Sequence, residues 1–492
     1  MENKTALVTG ATGYVGSLLV RRLADTQWAV KVLVRSKDKA KLMPWADLIN
    51  DSQECESGRV VVIEGDALNQ FDLDRALEGV DVAWYLLHSM GNDRAFVEEE
   101  RLMAQMFAQA VKRALTERIV YLGALAPHGE KSLHLESRRQ VGRILESSGA
   151  LTIGLSAGLV VGDRSASFAM LRHLAERLPL IVAPRWMHNR ITPISEKDLL
   201  YLLESAGTVE VEESRLFDIG SAEEISYVEM LTRYVTHFHL GRKRIWTAPI
   251  GNARVASWVI GLLTPVDRHL AEPLVESMVH DTVVAEWDFS TVVGEPLGGL
   301  DDLDEAFAAT ALSISPHRWR KIIFAVSASV AATATMASAF MRVNSPWYQR
   351  LPKTSLKPPR WVFPIVWTVL YADLALTGAL TLADIGEADP SDMSSASVTA
   401  EMTAEEKRFI AAGVANLALN AAWPLLFFKL RHLPAAAIEC ALLATSSIDL
   451  VRRVGKINAG RGVVLSPYAL WTTYATLLTT RIAAKARHND CG

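Results

Sequence analysis

Beyond residue 321 the chain runs through five stretches almost without charge, and no other feature restricts its fold so tightly. Residues 322–341 hold no charged side chain, 361–383 hold only Asp373, 409–428 none, 434–448 only Glu439, and 463–480 none. Crossing the hydrocarbon core of a bilayer takes about 20 predominantly apolar residues in a helix. The expectation is an all-α bundle of five membrane-spanning helices, the fourth and fifth short. Residues 384–407 are acidic and rich in Ser and Ala, a composition that buries too little to order itself and predicts a mobile connection.

The first 312 residues follow other rules. "ALVTG", "VKVLVR", "VVVIEGD", "VDVAWYLLH", "RIVYLGAL" and "LTIGLSAGLVVG" read as buried strands, with helical patterns between them at 93–115 and 136–147. Near-continuous apolar strands alternating with helices predict an α/β unit whose parallel sheet is covered on both faces. A less regular α/β stretch follows from about 163, and no run there reaches membrane length. The expected organisation is a Rossmann-type domain over 1–220, its C-terminal part over 221–315, and a membrane domain over 316–492.

Composition narrows the function classes. Fifty-five acidic residues against 51 basic ones give a net charge of −4, unlike the basic balance of a nucleic-acid binder. The three cysteines, Cys55, Cys440 and Cys491, lie far apart, and no CxxC or HExxH occurs, so no metal site is expected. "MENKTALVTG" enters a strand without a basic region and apolar stretch ahead of it, and no cleaved leader is expected.

The first strand runs into "TGATGYVG". Gly10 permits a tight turn off the strand, Gly13 lets backbone approach a pyrophosphate, and Gly16 allows close packing of helix on strand. The N–H groups of the helix then face the phosphates. The second strand ends "VLVRS", where Arg35 suits a 2′-phosphate and points to NADP over NAD, with Lys37 assisting; a solvated basic turn would read the same way. Asp66 ends the third strand, where it meets an adenine or acts as a plain N-cap.

"TGATGYVG", "VLVRS", "GDAL" and "SAGLVVG" together resemble the atypical short-chain dehydrogenase/reductases, in the NmrA-like group of NAD(P)-binding proteins, over residues 4–220 and more loosely to about 300. The resemblance implies cofactor contacts at Gly10, Thr12, Gly13, Tyr14, Val15, Gly16, Arg35, Asp66 and Ala67. It also implies that Leu86, Leu87 and His88 pass near the ribose. One departure stands out. Enzymatic members use a Tyr-x-x-x-Lys pair, and none of the ten tyrosines here has Lys four residues later. The corresponding region reads "HLESR". His134 and Arg138 share its i, i+4 spacing and would share a helix face. Two readings stand: His134 as proton donor with Arg138 supplying the positive charge, or a surface His beside a salt-bridging Arg. Elsewhere, the "HFH" at 237–239 has no third ligand nearby and reads as an ordinary pair. Arg185 and Arg190 either shape a pocket or end strands.

The membrane half opens on "WYQRLPKTSLKPPRWVFPIVWTVLY". Trp347 and Tyr348 suit the lipid–water interface. Phe363, Trp367 and Tyr371 recur at i, i+4, i+8 as one aromatic stripe. Asn416, Asn420 and Trp423 share a face of the third span, and Tyr468 and Trp471 one of the fifth. Polar groups in hydrocarbon need partners and face inward, as helix–helix hydrogen bonds or as anchors in a flat pocket. This stretch, with "NLALNAAWPLLFF" and "LSPYALWTTYATLL", is similar to the tryptophan-rich sensory/translocator (TspO/MBR) family over residues 320–487. That resemblance implies a five-helix bundle, commonly a homodimer, taking porphyrin, haem or similar hydrophobic compounds. The implied pocket holds Tyr348, Pro358, Trp361, Phe363, Trp367, Asn420, Trp423, Tyr468 and Trp471. Basic residues flank both sides of the first span, so the charge bias nearly ties. The nucleotide-binding half is expected in the cytoplasm because its cofactor is there, with the bundle multi-pass in the cell (inner) membrane. The function expected is a membrane-bound, reductase-like NAD(P)-binding protein handling a tetrapyrrole or similar ligand, or a non-catalytic NADPH-responsive sensor or transporter.

Overall fold

The computed structural model describes residues 4–50, 52, 54–88, 94–125, 133–248, 252–266, 268–351, 358–387 and 402–490. The chain forms two compact units, one mainly of residues up to 315 and one mainly of residues from 316 on.

The first unit is built on seven strands: β1 (Thr5–Thr9), β2 (Ala29–Val34), β3 (Val60–Glu64), β4 (Val82–Tyr85), β5 (Arg118–Ala124), β6 (Leu151–Ala157) and β7 (Arg215–Ile219). All pair in parallel, in the order β7-β6-β5-β4-β1-β2-β3. Four helices matter for the site: α1 (Tyr14–Asp25), α2 (Arg94–Ala114), α3 (Leu133–Glu146) and α4 (Glu196–Ser205). Alternation along the strands feeds two cores. Val8 and Trp84 pack with Leu19, Leu23 and Leu203 on one face. Leu7 and Tyr85 pack with Phe107, Ile119 and Val141 on the other. Covering helices on both faces is what the near-continuous apolar strands required. The buried Trp84 indole donates its Nε1–H to the Leu203 carbonyl at 2.8 Å, tying β4 to α4. From β1 the chain winds one way through β2 and β3. From β4 it winds the other way. A crevice therefore opens beyond the carboxyl ends of β1 and β4, the place where sheets of this kind bind ligands.

Residues 163–312 form a further core, in which Phe168, Tyr234 and Phe307 cluster and the Tyr234 hydroxyl donates to Glu176 Oε1 at 2.6 Å. The "HFH" stretch ends a helix there, with His237 Nδ1 3.4 Å from Asp304 and His239 at φ +50°. No group of His, Cys, Asp or Glu fit for a metal occurs among the described residues. Arg190 pairs with Glu224 at 3.0 Å, just outside the short strand it begins.

The second unit has five long helices: α5 (Arg318–Phe340), α6 (Val362–Ile385), α7 (Ala404–Pro424, extended by a π-helical turn to Lys429), α8 (Leu433–Ile457) and α9 (Ala459–Asp490). Among the described residues, four of them, α5 to α8, are long and apolar enough to cross a membrane. α9 has the length, but five threonines, two tyrosines, a serine and a proline dilute its charge-free stretch. α8, expected to be short, continues through Asp449 to Ile457, because Asp449 pairs with Arg452 and Arg453 one turn on. Large apolar side chains such as Phe324, Ile365, Val369, Leu442, Val463 and Leu470 are exposed around the bundle, as lipid-facing residues are. Where α8 meets α9, a Cβ on Gly462 would lie 2.7 Å from the Gly455 Cα, so only glycine fits. The Asp384–Arg461 pair, 2.6 Å apart and fully buried, fastens the end of α6 to the start of α9. The connection at 384–407 lies largely outside the described residues.

Candidate functional site

The turn after β1 is built by missing side chains. Gly10 sits at φ +72°, and a Cβ there would lie 2.5 Å from the Leu86 carbonyl oxygen. A Cβ on Gly16 would lie 2.2 Å from the Gly10 carbonyl. Gly13 differs: it is exposed, and its Cβ would meet only the Gly10 oxygen, at 3.2 Å. Gly13 is also the N-cap of α1, and no side chain caps that helix. The result is an accessible helix N-terminus at the crevice. Thr12 and Val15 flank it, half-buried. These residues fit a dinucleotide pyrophosphate: backbone N–H groups and the positive helix end face open space that a side chain would have filled.

Tyr14 is turned away from that role by its side chain. Its hydroxyl donates to Glu196 Oε2 at 2.5 Å, the first residue of α4. Burial, then the Glu196 charge, pushes the phenol far above its ordinary range, and burial raises the Glu196 carboxyl as well. Arg35 stands exposed just past β2, where Ser36 begins the next turn by accepting from the Lys39 amide. Asp66 does not cap the following helix. Asn69 does, while Asp66 Oδ1 accepts from the Leu68 amide at 3.0 Å and Ala67 is buried. Leu87 follows Leu86 in the strand exit against Gly10, so the structure brings the glycine turn and residues 86–88 together.

His88 belongs to a polar cluster that spacing alone did not disclose. Its Nδ1 lies 3.3 Å from Glu100 Oε1 of α2, and the Ser137 hydroxyl of α3 donates to Glu100 Oε2 at 2.5 Å. Glu100 is almost fully buried. Burial and then the nearby Arg138 charge hold His88 well below its ordinary range, so the imidazole is neutral near pH 7. Arg138 is turned inward: its Nη1 donates to the Leu122 carbonyl at 3.1 Å, and its own carbonyl accepts from Tyr121. That placement is not a surface salt bridge. His134 lies in the first turn of α3, its side chain outside the described residues. Glu100 and Ser137 were missed because neither is unusual in an amphipathic helix pattern. The only signal was a third glutamate in "EEE" falling on the apolar face of α2.

In the second unit, a cavity of about 500 Å³ is walled by α5 to α9 and the short helix Pro346–Arg350. The stripe of Phe363, Trp367 and Tyr371 lines it, with Tyr348, Asn420, Trp423 and Trp471. The rings meet their neighbours in three ways: Trp423 stacks on Phe427 at 4.9 Å, Trp367 tilts against Tyr371 at 5.2 Å, and Phe363 meets Trp471 edge to face at 5.9 Å. Phe427 and Phe428 were not anticipated. The π-helical turn after Pro424 rotates them into the wall, a shift that 3.6-residue spacing does not foresee. Pro358 and Trp361 stand outside the wall, Trp361 being two-thirds exposed. Tyr468 is fully buried behind it.

A chain of hydrogen bonds crosses the bundle at that depth. Tyr371 donates to Asn420 Oδ1 at 2.6 Å, Asn420 Nδ2 to Tyr468 at 3.1 Å, and Tyr468 to Asn416 Oδ1 at 2.7 Å. Asn416 Nδ2 then donates to Ser446 and Ser447 at 3.2 and 3.1 Å. Each amide in this low-dielectric interior is satisfied at both ends, which fixes the four helices α6 to α9 in one register.

Residues 10–150 match the NAD(P)H-binding family model, and residues 323–484 match the TspO/MBR family. The C-terminal segment is similar to the uncharacterized membrane protein YtaB of Bacillus subtilis, 27% identical over 33% of this chain and 96% of that protein. It is also similar to the tryptophan-rich sensory protein of Cereibacter sphaeroides, 28% identical over 26% of this chain and 70% of that one. The N-terminal part resembles a solved Citrobacter sp. triphenylmethane reductase complexed with NADP(H), at 16% identity over 62% of this chain and 99% of that one, with a TM-score of 0.48. The chain thus joins a segment that matches an NAD(P)H-binding family model to a segment that matches the TspO/MBR family and carries helices long and apolar enough to cross a membrane.

Proposed function

We propose that this protein couples nicotinamide coenzyme binding in a cytoplasmic unit to the handling of a tetrapyrrole or similar flat hydrophobic compound in a five-helix bundle of the inner membrane, α9 included. The observation that carries the reading is the aromatic cavity of about 500 Å³, a volume suited to a large organic ligand, on a chain with an accessible glycine turn. The domains are taken as 1–220, 221–315 and 316–492, with a homodimer formed through the bundle.

Gly10, Gly13 and Gly16 shape the pyrophosphate seat; Thr12, Tyr14 and Val15 line it through their backbone. Arg35 favours NADP by meeting a 2′-phosphate. Asp66 and Ala67 border the adenine, and Leu87 and His88 the ribose. A bound coenzyme supplies hydride. The chain supplies the proton and the charge through His134 and Arg138. Tyr348, Pro358, Trp361, Phe363, Trp367, Asn420, Trp423, Tyr468 and Trp471 form the ligand pocket and its supports.

A second reading has its own observation. No Tyr-x-x-x-Lys pair occurs in the sequence, and Arg138 Nη1 is engaged by the Leu122 carbonyl. Both favour a sensor or carrier in which NADPH binding alters ligand affinity without turnover. Titration of the full-length protein in lipid nanodiscs with protoporphyrin, with and without NADPH, tests both while nicotinamide absorbance is followed. Saturable quenching with loss of 340-nm absorbance supports the enzyme. A shift in porphyrin affinity at constant absorbance supports the sensor. Absence of porphyrin binding sinks both.

A further inference from the structure

The two ends of the bundle differ in charge. Arg318, at the start of α5, donates to the Ala383 carbonyl and pairs with Glu406, so α6 ends and α7 begins at one end. That end mixes both signs, with Arg318–Glu406 and Asp384–Arg461 paired. At the opposite end Lys429 lies over the Phe340 ring and Arg431 over Trp347, while Ile482 packs with Trp347 and Phe427. Residues 341–351, 358–362, 425–433 and 479–487 meet there. They carry eight lysines and arginines, all exposed, and no Asp or Glu. Cations gathered on one surface without acids between them attract anions and raise their local concentration.

The cavity reaches the surface at this cationic end: Met341, Val343 and Arg360 line it and are exposed. Arg360 is the one charged residue in the wall, and Glu439 is not part of it. Among the described residues nothing pairs with the Arg360 guanidinium. Deeper in, the hydroxyls of Ser338, Thr368, Tyr371 and Thr472 already donate within the bundle. The Trp423 Nε1–H is buried and meets no acceptor among the described residues. Two donors in the wall are therefore unmet, an indole N–H inside and a guanidinium at the mouth, and oxygen acceptors satisfy both. Tyr371 bonds Asn420, and α6 and α7 run antiparallel. Eleven residues along α6 from Arg360 to Tyr371, less three along α7 from Asn420 to Trp423, put the two donors about 12 Å apart along the bundle. Phe363 and Trp367 stand between them. Their ring faces carry partial negative charge and repel an anion, so a ligand's charge is directed to the mouth and its rings inward.

We infer that the cavity takes flat hydrophobic carboxylates, admitted from the cationic end, with the carboxylate paired to Arg360 and the ring system among the aromatic faces. This inference rests on the cavity being a ligand site, and deepens that reading by naming the charge of the ligand and the residue that selects it.

The test uses two fluorescent probes of one shape, 1-pyrenebutyrate and 1-pyrenebutanol, titrated at pH 7 into the full-length protein in nanodiscs of neutral lipid. Empty nanodiscs are titrated in parallel to subtract partitioning. The alcohol should bind, and the acid should bind at least tenfold more tightly. Arg360→Gln should bring the acid to the alcohol's affinity and leave the alcohol within twofold, while Arg360→Lys keeps most of the acid's gain. If the alcohol binds but the acid gains nothing, or keeps its gain in Arg360→Gln, the inference fails and the cavity reading survives. If neither probe binds, the cavity reading fails and takes the inference with it. The difference between wild type and Arg360→Gln should persist when about a third of the lipid is anionic; its loss there would assign Arg360 to lipid headgroups and overturn the proposal. Should Arg360→Gln not fold, the wild-type protein decides alone: the acid's preference should fall at least threefold between about 0.05 and 0.5 M NaCl. A preference indifferent to salt overturns the proposal.

Discussion

The glycine turn and the aromatic cavity are opposite ways of making room for a ligand. The turn makes room by subtraction: three glycines within seven residues, two of them with no space for even a methyl group. The cavity makes room by opposition: large rings from α6, α7, α9 and the short helix meet before their backbones do. A site made by subtraction is local, and a change in it strikes the fold. A site made by opposition is spread over more than a hundred residues, and a change in one ring leaves the rest standing.

The largest predicted effect breaks the turn. In Gly16→Val the new side chain meets the Gly10 carbonyl, a backbone atom that cannot swing aside. We expect destabilisation of the first unit by more than about 3 kcal/mol. Hydrogen exchange should rise across residues 5–34 while α6 to α9 keep their protection. Gly13→Ala sharpens the contrast. Its methyl meets one oxygen at 3.2 Å, so exchange should stay near wild type while NADPH affinity falls about tenfold or more. Equal exchange in Gly16→Val and wild type would show that the close approach is not structural.

The second effect tests the bundle's polar chain. Asn416→Leu leaves Tyr468, Ser446 and Ser447 without their shared partner. Helix–helix hydrogen bonds within membranes contribute about 0.6 kcal/mol on average and up to about 1.7. With three bonds lost, destabilisation of about 1–2 kcal/mol is expected, seen as a lower thermal midpoint in nanodiscs. An unchanged midpoint would remove the chain as a register device.

The contrast also decides what could be read from the residues. Six of the seven parallel strands, the glycine turn and the apolar helices follow from periodicity and local spacing, whereas the edge strand Arg215–Ile219 was not read. Nothing local distinguishes Glu100, which is one of three consecutive glutamates, yet its helix phase puts it inside with Ser137 and His88. Phe427 and Phe428 were hidden by a π turn. α9 shows the opposite limit: an 18-residue charge-free run is no guarantee of apolarity when threonines fill it.

A smaller effect concerns coenzyme choice. Arg35→Ala should weaken NADPH binding by about tenfold, near 1.4 kcal/mol, and leave NADH within twofold, since only the 2′-phosphate differs. Isothermal titration of the full-length protein with each coenzyme measures it. Equal losses for both coenzymes would make Arg35 a general phosphate contact.

The smallest effect is carried by His88, and its sign can be worked out. Folded, the imidazole is held below its ordinary value near 6.5; unfolded, it returns there. As pH falls below about 6.5, the unfolded chain takes a proton that the folded chain refuses, so stability declines. Above that pH the group contributes no slope. The decline is bounded at about 1.4 kcal/mol per pH unit for one proton. In His88→Asn this part of the slope should disappear between about pH 6.5 and 5. Glu100 keeps a hydrogen-bond donor beside it, so stability at pH 7.5 should change by less than about 1 kcal/mol. Thermal midpoints of wild type and variant across pH 5 to 7.5 make the comparison, with the bundle as internal reference. A slope that persists in the variant would place the acid sensitivity elsewhere, and would leave His88 a spacer between the turn and the buried carboxyl rather than a titrating group.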